Sequence, residues 1–149
     1  MTSIFPTIVG KNLNKQKITI PEDFSQRDTV VIIAFQRWHQ QLVDTTIETL
    51  ERSNIQNSHN IIEVPVVSQL SLFRRMRLDA IMRAGIRDYH IRQRTITVYT
   101  DKEEFKQKLA IPNEDDIHWF VVSHSSKEIL NRGIGVISLE DISQILFQE

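Results

Sequence analysis

The run Thr29-Val30-Val31-Ile32-Ile33-Ala34-Phe35 constrains the fold more than any other stretch of this chain. It is continuous, β-branched and free of polar positions after Thr29. Such a strand offers no face to water, so it belongs inside a sheet covered on both sides. After Phe35 the period changes. Trp38, Leu42, Val43, Ile47 and Leu50 fall on one helical stripe, with Asp44, Glu48 and Glu51 on other faces, which predicts a helix to about Arg52.

The same alternation continues along the chain. Asn60–Val67 reads as a second buried strand. Leu70, Phe73, Met76, Ala80 and Ala84 mark a helix that ends near Gly85. Thr95–Tyr99 is a third strand. Asp101, with Glu104 three residues on, opens a short helix that stops before Pro112. Ile117–Ser123 is another strand, and the polar cluster His124-Ser125-Ser126-Lys127 turns it into Glu128–Arg132, which Gly133 and Gly135 break. Ser138 and Asp141 form a capping box for a last helix whose apolar face is Leu139, Ile142, Ile145 and Leu146. Ahead of all these, Lys17–Ile20 alternates and halts at Pro21, the pattern of a short edge strand. The order β-β-α-β-α-β-α-β-β-α predicts an α/β fold in three layers. A mixed central sheet has helices on both faces and ends in a C-terminal hairpin and helix. No repeat or Pro/Gly/Ser-rich linker divides the 149 residues, so a single domain over 1–149 is expected.

Composition narrows function by exclusion. The chain has no cysteine, which removes disulfides, thiolate nucleophiles, peroxidase chemistry and thiolate metal ligands. A net charge of −1 gives no reason to expect nucleic acid or an anionic membrane. The N-terminus lacks the basic-then-apolar pattern of a signal peptide. No stretch approaches the roughly 20 apolar residues that span a bilayer, so a cytoplasmic location is expected. There is no HExxH spacing and no glycine-rich phosphate loop; neither a metal nor a cofactor is expected.

The opening FP…VGKNLN…ITIPEDF, the stretch TVVIIAFQRWHQQ, the segment TITVYTDKEEFKQKLAI and the ending IHWFVVSHSSKEILNRGIG together resemble the thioredoxin-like superfamily, in the extended arrangement of peroxiredoxins. The resemblance covers nearly the whole chain and implies a thioredoxin-like fold. It does not carry redox activity over. Where the family places Trp-Cys-x-x-Cys, this chain has Trp38-His39-Gln40-Gln41-Leu42, and the peroxiredoxin Thr-x-x-Cys pattern is absent. The proline that the family sets before its hairpin strand is also missing, since Pro112 lies five residues upstream of Ile117. A weaker similarity, FP-x-x-x-G-x-x-L and W-x-x-Q-x-V, runs to mitochondrial ATP-synthase assembly proteins of the same fold, and implies an assembly role.

In open α/β sheets ligands bind beyond the carboxyl ends of the parallel strands. That rim is Arg37, Trp38, His39 and Gln40, then Ser68, then Tyr99 and Asp101. His39, in the first turn of a helix whose dipole disfavours its cation, is the candidate base or ligand. The plainer reading is a solvated histidine beside a packed Trp38. Trp38, as first member of the helical stripe, reads as a core anchor, with an exposed docking residue as the alternative. Seven of the eighteen basic residues fall between Arg74 and Arg94, with Arg74, Arg75 and Arg77 the densest group. Arg75, Asp79 and Arg83 can pair along one face, which reads as solvated surface; the excess charge points to an acidic protein partner. His118 and His124 share a strand face, His59 and His90 fall in loops, and Glu114-Asp115-Asp116 reads as surface charge. Two functions result: a non-redox protein-binding or assembly domain, and, as the alternative, a cysteine-independent enzyme or small-anion binder using the rim around His39.

Overall fold

The computed structural model describes residues 3–24, 26–68 and 89–147. The strands are β1 (Ile8–Asn12), β2 (Lys17–Ile20), β3 (Thr29–Ala34), β4 (Asn60–Val67), β5 (Ile96–Tyr99), β6 (His118–Val122) and β7 (Ile129–Ile134). The helices are α1 (Gln40–Arg52), α2 (Tyr89–Arg94), α3 (Lys102–Lys108) and α4 (Leu139–Leu146), with short 3₁₀ turns at Arg37–His39 and Ile55–Asn57. The helix expected over Leu70–Gly85 lies outside the described residues.

The strands form one seven-stranded sheet in the order β2-β1-β5-β4-β3-β6-β7. β3 and β4 pair in parallel, as do β4 and β5. β6 runs antiparallel to β3, β7 to β6, and the β1–β2 hairpin is added antiparallel beyond β5. This is the mixed sheet expected, with Lys17–Ile20 at its outer edge.

All six residues of β3 are buried, because side chains of both parities are covered. Val31 and Ile33 join Val64, Val66, Phe105, Leu109 and Phe120 on the α3 side. Val30 and Ile32 join Val43, Ile47, Leu50, Ile142, Ile145 and Trp119 on the side of α1 and α4. Two apolar layers of this kind are what a strand without a polar face requires.

Glycine explains two departures from the expected strands. β1 was not anticipated, since Gly10 interrupts its alternation. A Cβ at Gly10 would lie 2.7 Å from the Thr97 carbonyl oxygen, so glycine lets β1 approach β5. Gly133 does not break its strand but lies inside β7 opposite Trp119, where a Cβ would meet the indole at 2.3 Å. Only Gly135, with φ +85°, ends the pairing.

At the ends of these elements one expectation is corrected and the others hold. Ile142 and Ile145 form the buried face of α4, whereas Leu139 and Leu146 are exposed. The Ser138–Asp141 capping box is present, and the Asp101 carboxylate accepts the Glu104 amide at 3.1 Å. The bond before Pro112 is trans; the cis bond among the described residues is Ile20–Pro21.

Candidate functional site

β3, β4 and β5 are mutually parallel, so their carboxyl ends share one edge of the sheet. The topology therefore brings Arg37–Gln40, Ser68 and Tyr99–Asp101 to that edge, and Thr100 ties β5 to β4 by donating to the Val67 carbonyl at 2.9 Å. Arg37 and Ser68 are exposed, Gln40 and Tyr99 are half-buried, and Asp101 serves as the cap of α3. Arg74, Arg75 and Arg77 lie outside the described residues.

The adjacent residues Trp38 and His39 exchange their expected places. Trp38 is 59 % exposed, so it is not a core anchor. His39 is fully buried rather than solvated. The 3₁₀ turn causes this: it is tighter than an α-turn and rotates His39 beneath the chain while lifting the indole out. The two rings meet edge to face at 4.3 Å.

The His39 Nδ1 accepts the backbone amides of Phe35, at 3.0 Å, and Gln36, at 3.2 Å. Those amides follow the end of β3 and would otherwise be unpaired. An Nδ1 that accepts carries no proton, so the ring is the neutral Nε2–H tautomer. Nε2 itself has no hydrogen-bond partner among the described residues. Burial pushes the His39 imidazole below its ordinary range, outweighing the opposing pull of the Asp116 carboxylate and the Glu114 backbone. Nearby His118, also buried, is pushed down by burial and by Arg132.

Glu114 is the member of this site that sequence reasoning missed. Its Oε1 accepts from Gln36 Nε2 at 2.8 Å and from Lys102 Nζ at 3.2 Å, and its Oε2 accepts from Lys106 Nζ at 2.8 Å. Lys102 also donates to the Phe35 carbonyl at 3.2 Å. Burial raises the Glu114 carboxyl, but the hydrogen bonds from Lys106 and Lys102 outweigh it and hold it below the usual carboxylate range. Glu114 is therefore not surface charge; it ties the loop before β6 to the end of β3 and to α3. The available sequence signal was Lys102 and Lys106, one turn apart and so on one face of α3.

The other candidate histidines separate. His124 lies in the turn after β6, not on the strand face of His118, and its Nδ1 is 2.6 Å from an Asp28 carboxylate oxygen. His90 lies in α2 rather than a loop. Among the described residues no group of three or more histidines and carboxylates is placed to hold a metal ion, and no helix is long and apolar enough to cross a membrane.

This arrangement is a thioredoxin-like fold whose strand-end site holds the His39 imidazole and the Glu114 carboxylate, in a chain without cysteine. Solved structures agree on the fold. The exposed lipoprotein thioredoxin Etrx1 of Streptococcus pneumoniae superposes with a TM-score of 0.63 at 9% identity, covering 97% of this chain and 100% of that one. A putative thiol:disulfide interchange protein DsbE of Chlorobium tepidum gives 0.60 at 9% identity, covering 97% and 94%. BsSco, of the Sco family of cytochrome c oxidase assembly proteins, gives 0.58 at 8% identity, covering 100% and 96%. No protein-family model and no curated protein matches the chain.

Proposed function

We infer that this chain is a non-redox thioredoxin-like domain that binds another protein through the rim around Trp38. The observation that carries this reading is the exposed indole of Trp38 on a turn pinned by the His39 Nδ1 and the Glu114 carboxylate. Exposed tryptophans beside an arginine, here Arg37, are the residue types that anchor protein interfaces. The groups beneath are committed to the fold: His39 to two backbone amides and Glu114 to Gln36 and two lysines. Without cysteine the rim has no thiolate, and the rigid sheet end becomes a platform. Arg37, together with the run Arg74, Arg75 and Arg77, favours an acidic partner. The Sco family shows that assembly proteins occur on this fold, which supports an assembly role.

The test is affinity capture from the native cell extract with wild-type protein and with Trp38→Ala. A stoichiometric partner that is retained by the wild type, lost with Trp38→Ala and weakened by salt supports the reading. The same bound proteins with and without Trp38 would refute it.

A further inference from the structure

A second concavity lies at the opposite edge of the sheet, beyond the amino ends of β3 and β4. It is a half-open groove of about 270 Å³, the size of a small organic molecule. Its walls come from five places in the chain: β2, the loop before β3, the end of α1 with the following turn, the start of β4, and α2.

The pocket has an apolar lining and a cationic mouth. Ile18, Phe24, Ile61 and Ile62 supply the apolar lining, with Ile61 and Ile62 on opposite faces of β4. Arg27 and Arg94 stand at the mouth, with Glu51 as the lining carboxylate. Arg27 is fixed in place, donating to the Gln56 carbonyl at 3.1 Å and to Asn60 Oδ1 at 3.2 Å. Arg94 meets Glu51 at 3.4 Å, a long contact that leaves the pair half-satisfied. The Nε of Arg94 is buried with no partner among the described residues. Burial pushes the His59 imidazole down, so it adds no positive charge at neutral pH. Among the lining side chains two guanidinium groups stand against the Glu51 carboxylate, and the Asp28 carboxylate acts on His59 from just outside, so the site suits no more than a monoanion.

We propose that this pocket binds a small organic carboxylate with an apolar body, its carboxylate held between Arg27 and Arg94 and its body on Phe24 and the isoleucines. The site is separate from the Trp38 rim and does not depend on the function read there.

The experiment titrates the full chain with 3-phenylpropionate and, in parallel, with its uncharged amide, by calorimetry and by ¹⁵N NMR at the Asn60 and Gln93 amides. The carboxylate is expected to bind saturably and the amide at least about tenfold more weakly. Arg27→Gln and Arg94→Gln each lower the affinity several-fold. Glu51→Gln raises it, because it removes the competing carboxylate without touching the apolar lining. That gain cannot come from damaged folding, so it stands even if an arginine variant is unstable. Equal binding of the amide, no saturable binding at millimolar concentration, no gain from Glu51→Gln, or tighter binding of phenyl phosphate would each overturn the proposal.

Discussion

The His39 imidazole accepts the Phe35 amide through Nδ1 at 3.0 Å, closing the turn that leaves β3. Removing that acceptor strands two backbone amides and opens a cavity. His39→Ala is expected to lower stability by roughly 2–4 kcal/mol in chemical denaturation. His39→Asn, whose Oδ1 sits at the same branch position as Nδ1, is expected to recover a large part of the loss. If the asparagine is no better than alanine, the amide bonds are not what makes His39 matter.

The same geometry sets a pH dependence. His39 and His118 are held below their ordinary range when folded and return to it on unfolding. The unfolded chain therefore binds more protons below about pH 6.5, and stability falls as pH falls through that region. Each histidine contributes at most about 1.4 kcal/mol per pH unit. Denaturation midpoints between pH 8 and 5 check this, and His39→Asn should flatten the slope.

The two tryptophans should behave oppositely. Trp38→Ala removes an exposed ring and should change stability by no more than about 0.5 kcal/mol. Trp119 is 3 % exposed and lies over Gly133, so Trp119→Ala should cost about 3–5 kcal/mol. Thermal melts of the pair separate surface from core directly.

Glu114→Gln keeps the shape of the hub and removes its charge. Its side chain is 20 % exposed, and Lys102 and Lys106 would lose their shared partner. The expected loss at pH 7 is about 1–2 kcal/mol. The Glu114 carboxyl is held low when folded, so its contribution is present above about pH 4.5 and is lost as pH falls through the folded value. Wild type and Glu114→Gln should therefore converge in stability as pH falls below the folded value.

Glu63 predicts the reverse. It is buried in β4, and burial raises its carboxyl despite the Gln40 amide 3.4 Å away. A raised folded value means its contribution to stability is complete below pH 4.5 and is lost as pH rises. Glu63→Gln should thus stabilise the protein at pH 8 and give no gain at pH 4. A destabilised variant at pH 8 would show that the ionised carboxylate is needed.

The elements with strict patterning were legible in the sequence. The apolar run of β3, the stripe of α1 and the caps at Asp101 and Ser138 appear where local chemistry demands them, since period and capping depend on neighbours in the chain. β1 was hidden, because a glycine that enables close strand approach carries no apolar signal. Gly133 looked like an interruption for the same reason: only the Trp119 indole across the hairpin explains it.

From its sequence alone this protein is an alternating α/β chain without cysteine, and that suffices for a mixed, doubly covered sheet and for excluding thiol chemistry. Tertiary structure decided which side of the chain each rim residue faces. A single 3₁₀ turn exposes Trp38 and buries His39, and a loop 78 residues beyond Gln36 delivers Glu114 to that residue's side chain. Helical periodicity assumes a regular turn, and long-range partners leave no local mark, so neither outcome could be read from residue order.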